Sequence, residues 1–196
     1  MDSDTVTIRL KKSQISELRI IASQKNISLN TLLTQILTRH LDTDKIYDKF
    51  NCVKIPKDVF SIMSKTKSIQ EMNELGKYLA EEFATDFILT KWKKISQETI
   101  PQFIKIFVQE NSGIYNIIQK NNGQIIFIHH KMGKKISKFY SSLIQSLYAQ
   151  LDMNTSTEVF KDYTSVQIPF NKYFKIDTNT PSNITYSWYK SAFIKN

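Results

Sequence analysis

The sequence predicts an α+β protein in two parts: a small N-terminal β-α-α unit, then a larger α+β domain with an antiparallel sheet and amphipathic helices. Three observations carry this. "TVTIRL" at 5–10 alternates apolar and polar residues, so Val6, Ile8 and Leu10 fall on one face of a strand and Thr5, Thr7 and Arg9 on the other. Several later stretches repeat apolar residues at three- and four-residue steps. "IYNIIQKNNGQIIFIHH" holds two β-rich runs around Asn122-Gly123, the dipeptide that favours a type I′ hairpin turn.

Composition sets the limits. Hydrophobic residues make up 41% of the 196 and charged residues 23%, enough to bury a core and too apolar for a disordered chain. The lone Cys52 excludes an intrachain disulfide framework. No run nears the roughly 20 apolar residues of a membrane helix, and the first residues lack the apolar run of a secretory signal. A cytoplasmic, nucleoid-associated protein without a membrane partner is expected. The net charge of +9 suggests a polyanionic partner. Residues 1–50 hold eight Lys/Arg against six Asp/Glu, so most of the excess, +7, belongs to the remainder.

In the N-terminal unit, Ser13 is the expected N-cap of a helix carrying Ile15, Leu18, Ile21 and Ala22, closed near Lys25 by Asn26 in a left-handed turn. Ser28 is the N-cap of a second helix with Leu29, Leu32, Leu33, Ile36, Leu37 and Leu41 as its apolar stripe. From "LDTDKIYDKFN" the period is lost. The chain therefore divides into 1–44, a linker or helix tail at 45–52, and a domain at 53–196 ending in an aromatic-rich tail.

This strand-helix-turn-helix order, with the turn "NISLN", resembles the ribbon-helix-helix family of DNA-binding repressors over residues 4–42, about a fifth of the chain. The resemblance implies that two chains pair their strands into an antiparallel ribbon. Elementary physics leads to the same homodimer, because forty residues bury too little surface to fold alone and a lone strand leaves its backbone groups unpaired. The implied ribbon enters the major groove, with Thr5, Thr7 and Arg9 on base edges. Lys11 and Lys12 would contact phosphates, as would Ser28, Leu29 and Asn30 at the start of the second helix, where free N–H groups and the dipole favour an anion.

In the larger part, "CVKIPKDVFSIM" reads as a strand ending at Pro56 and then a short helix. "SIQEMNELGKYLAEEFATDFILTKW" is a long amphipathic helix through Met72, Leu75, Leu79, Phe83 and Phe87. "SQETIPQFIKIFVQEN" is another, capped by Ser96, and "GKKISKFYSSLIQSLYAQL" a third. "STEVFKDYTSVQIPF" supplies one or two further strands. The order β-α-α-β-β-α-β implies helices against one face of an antiparallel sheet. In outline only, this domain is similar to the C-terminal α+β domains of nickel-responsive regulators of that family, with no residue of their metal site matched. The tail aromatics Tyr173, Phe174, Tyr186, Trp188, Tyr189 and Phe193 suggest docking onto the domain or another subunit.

Other chemistry has little support. Adjacent strand residues face opposite sides, so His129 and His130 cannot share a metal, and a composite site with His40 and Cys52 has no local signature. No metal or cofactor is expected. Lys131, Lys134 and Lys135 around Gly133 could hold an anion at a helix start, and Lys91, Lys93 and Lys94 around Trp92 could meet nucleic acid. A solvated basic turn and a dipole-favoured helix end explain the same residues. No nucleophile elbow, zinc-protease motif or framed carboxylate pair is present, so an enzyme is not expected.

The expected function is sequence-specific binding of double-stranded DNA by a homodimeric transcriptional repressor or regulator, its C-terminal domain sensing an unidentified small effector or assembling dimers into tetramers. An antitoxin and an architectural DNA-coating protein are the alternatives.

Overall fold

The computed structural model describes residues 4, 6–52, 55–111, 113–120 and 123–169. The tail aromatics, Thr5 and the turn residues at 121–122 lie outside them.

Helix α1, Lys12–Gln24, and helix α2, Leu29–Arg39, form as the apolar spacing dictates. Ser13 is not the cap. It sits inside the first turn, because the Gln14 carboxamide oxygen accepts from the Lys11 N–H at 3.0 Å and fixes the cap two residues earlier. Asn26 does close the helix in the left-handed region, at φ 54. Ser28 caps α2, its hydroxyl accepting from the Thr31 N–H at 3.0 Å. Ala22 and Leu32 are the buried residues of this pair.

The expected strand at 5–10 is not formed. Residues 6–10 have no regular secondary structure, and the first strand begins at Ile114. A strand is defined by ladder hydrogen bonds, and this one finds no partner among the described residues. The ribbon-helix-helix arrangement is therefore not supported in the single chain.

Of the two readings of 45–52, linker or helix tail, the helix tail holds as far as Lys49. A π-turn over His40–Asp44 carries α2 directly into α3, Lys45–Lys49. Beyond it Tyr47 and Phe50 pack on Phe83 and Phe87, with Phe50–Phe83 centroids 5.5 Å apart and Tyr47–Phe87 5.8 Å apart. Two ion pairs brace the junction: Arg39–Glu110 at 2.8 Å and Lys91–Asp42 at 3.3 Å.

Pro56 precedes α4, Lys57–Lys65. The strand expected before it is absent at Cys52 and Ile55, while 53–54 are not among the described residues. The long amphipathic helix is α5, Ile69–Tyr78, continued through a π-turn over Leu79–Ala84 into α6, Thr85–Trp92. Ser68 and Glu71 form a capping box at its start, and the backbone N–H of Ser68 holds the Glu71 carboxyl down at about 2. Helix α7, Thr99–Glu110, begins three residues after the expected cap, yet the Ser96 hydroxyl still accepts from the Thr99 N–H at 3.2 Å.

The hairpin forms as expected. Strands β1, Ile114–Lys120, and β2, Gly123–His129, pair antiparallel with Lys120 opposite Gly123, so the connecting residues are 121–122 instead of 122–123. After α8, Lys134–Ala149, strands β3, Ser156–Val159, and β4, Tyr163–Pro169, complete an antiparallel sheet of order β1-β2-β4-β3. The protein is thus α+β with amphipathic helices on one sheet face.

The core lies between that face and α8. Ile126, Ile128, Val166 and Ile168 of the sheet meet Ile136, Tyr140, Leu143 and Leu147, all buried. Helix α5 closes onto α8 at Gly76, where an added Cβ would stand 2.5 Å from the Phe139 carbonyl oxygen. Ser142 donates to the Asn73 carbonyl at 2.6 Å in the same contact. No helix of the described residues is long and apolar enough to cross a membrane.

Candidate nucleic-acid interface

Thr7, Arg9, Lys11 and Lys12 are exposed along the approach to α1. Neither α1 nor α2 has an acidic residue in its first turn. Lysines at a helix start work against the dipole, so helix stability does not account for Lys11 and Lys12.

At α2 the Ser28 hydroxyl is engaged as the cap, and also lies 2.7 Å from the Thr31 hydroxyl. The N–H groups of Leu29 and Asn30 have no intrahelical acceptor, as at any helix start. Ser28 and Asn30 are exposed and Leu29 half-buried. A phosphate here would be held by two backbone donors at the positive dipole end.

One chain does not bring these two groups together. Helix α1 separates them, and its 13 residues span about 20 Å at helical rise. Thr5, the remaining expected base contact, is not among the described residues.

The structure gives the second set of basic residues structural partners. Lys91 donates to the carbonyl and carboxylate of Asp42, its side chain is only 15% exposed, and it lies 5.6 Å from the Trp92 ring centroid. Trp92 is half-buried and packs on Phe87 with ring centroids 6.2 Å apart. Lys93 bonds the Thr90 carbonyl at 3.2 Å as the left-handed cap of α6, and Lys94 pairs with Glu98 at 3.2 Å. Lys135 reaches the Lys65 carbonyl at 2.8 Å. Lys131 and Lys134 are exposed, on either side of Gly133, which opens α8 at φ 92.

The two histidines diverge as adjacent strand residues must: His129 is half-buried and His130 buried. His130 Nδ1 accepts from the Met132 N–H at 3.0 Å, so Nε2 carries the proton and donates to the Ser137 hydroxyl at 2.8 Å. That tautomer cannot act as a base toward Ser137, and Ser137 is fully buried. Burial, partly offset by Asp162, depresses the imidazole to about 4 and keeps it neutral. Among the described residues no three His, Cys, Asp or Glu side chains converge as a metal site.

Sequence reasoning missed Arg39 and Glu110, which tie the basic N-terminal unit to the body across 71 residues; no local pattern marks such a pair. Comparison with known proteins finds no matching family model, no matching curated protein and no matching solved structure.

Proposed function

We propose that this protein is a homodimeric, sequence-specific DNA-binding regulator whose two copies pair residues 5–10 into an antiparallel ribbon that reads the major groove. The uncovered apolar face of the N-terminal unit carries this reading. Val6 is 79% and Ile8 51% exposed, while Thr7 and Arg9 alternate with them. Three such apolar residues on one side of a potential strand call for a cover, and the same segment from a second molecule supplies both that cover and the missing ladder.

Further support comes from the separated basic groups. Pairing around a two-fold axis doubles the Arg9 face and adds a second copy of each phosphate-binding group. Arg9 would make a bidentate contact with guanine and Thr7 would reach a base edge or thymine methyl. Lys11, Lys12 and the α2 start would set the register on the backbone.

Selection from a randomised duplex pool by the full-length protein at near-physiological salt tests this. A recovered palindromic or tandem motif supports the reading. Tight binding that enriches no motif favours a DNA-coating role, for which the +7 charge of the larger part supplies sequence-independent attraction.

A further inference from the structure

Helix α4 is built with its apolar side outward. Toward the body it presents Phe60, stacked edge-on to Phe139 at 6.0 Å, and two serines, with the Ser64 hydroxyl donating to the Ser61 carbonyl at 2.7 Å. Toward solvent it presents Val59, Ile62 and Met63, continued by Ile55 just before it; Ile62 is 60% and Met63 56% exposed. Those three helical residues fill about 100° of arc, the width of a stripe that ordinarily faces a core. Among the described residues nothing covers it.

The charges beside the stripe identify its cover. Asp58 and Lys65 are both exposed and seven residues apart, so they lie two turns apart on the same flank. When two copies of a helix pack antiparallel across a two-fold axis, each flank meets the same flank of the other copy in reverse order. Asp58 of each copy then stands beside Lys65 of the other, while Val59, Ile62 and Met63 close on themselves. The pattern is self-complementary, as an isologous interface requires.

We infer that α4 is a self-association helix, pairing antiparallel with α4 of a second copy of this chain through the Val59-Ile62-Met63 stripe and two reciprocal Asp58–Lys65 ion pairs. This contact is separate from the N-terminal pairing and does not rest on it. If both form between different partners, the DNA-free protein assembles beyond a dimer, closing at a tetramer when the two axes are perpendicular and intersect; α4 alone gives a dimer.

Sedimentation velocity on the full-length protein without DNA tests it, using wild type, Ile62→Lys, Asp58→Lys, Lys65→Asp and the double exchange Asp58→Lys/Lys65→Asp. Ile62→Lys and each single charge variant should lower the assembly by one association step. The single variants oppose like charges and should raise the dissociation constant on the order of tenfold or more; the double exchange should restore wild-type mass. The restoration separates an interface from a helix effect, because Asp58 sits in the first turn and Lys65 in the last, and exchanging both opposes the dipole twice. The helix effect alone makes the double variant the worst of the set. Wild-type mass in all four variants, or no recovery in the double exchange, overturns the inference and assigns the stripe to another protein or to residues 170–196.

Discussion

Arg39 Nη2 and Glu110 Oε2 stand 2.8 Å apart, joining the last residue of α2 to the last residue of α7. Arg39 is 57% exposed, so solvent screens the pair. A double-mutant cycle with Arg39→Ala and Glu110→Ala, followed by urea unfolding, should give a coupling of about 0.2–1 kcal/mol. Lys91→Met should cost more than Arg39→Ala, because it removes the largely buried ammonium that bridges the Asp42 carbonyl and carboxylate to α6, although the exposed carboxylate itself is rehydrated.

Arg9 and Lys12 are assigned different tasks on DNA and should fail differently. Arg9→Ala should cost about 1–3 kcal/mol against the selected sequence and much less against random duplex. Lys12→Ala should weaken both alike and flatten the dependence of log K on log salt by about one unit. Equal loss on both duplexes for Arg9→Ala would remove the base-reading role.

Buried His130 makes stability depend on pH. Its folded pKa of about 4 lies below the ordinary 6.5, so the unfolded chain binds the proton first as pH falls. The stability associated with the neutral ring is complete above about 6.5 and is lost progressively down to about 4, a span worth about 3 kcal/mol. Urea unfolding across that range should show this loss, reduced in His130→Asn. An unchanged slope in that variant would exclude His130 as its source.

Gly76→Ala tests the closest helix contact. Alanine gains about 1 kcal/mol of helix propensity, but its Cβ meets the Phe139 carbonyl at 2.5 Å, and overpacking of this kind costs about 1–3 kcal/mol. Net destabilisation is expected, read as a lower Tm. A rise in Tm would mean that α5 and α8 separate without cost.

Particular residues show how much of this was legible in the sequence. The hairpin was, since Asn122-Gly123 between β-rich runs is a local signal, and so were the cap at Ser28 and the long helices. The alternation at 5–10 was equally clear, but a strand is a property of two segments and the described residues supply one. The stretch at 45–52 could be read only as a linker or helix tail because the π-turn at His40–Asp44 shifts the helical phase, taking Tyr47 and Phe50 out of the 3.6-residue period while leaving them helical or docked. For the candidate site, Arg9, Lys11 and Lys12 stood out as exposed basic residues, whereas Lys91 and Lys135 were indistinguishable from them until their carbonyl partners were in view. The His130–Ser137 bond depends on a loop that returns the chain onto α8, and the outward stripe of α4 on which side of a short helix meets the body. Spacing alone fixes neither.

The unbroken passage from α2 through the π-turn into α3 makes the N-terminal unit a helical continuation of the body. Arg39, Lys91, Tyr47 and Phe50 each tie that passage to α6, α7 or the helical turn between α5 and α6, so the start of α2 reaches the core through packed side chains and not through a free tether. Loosening either ion pair should therefore be felt on both sides of the junction, in the helices that carry Glu110 and Lys91 and in the one that ends at Arg39.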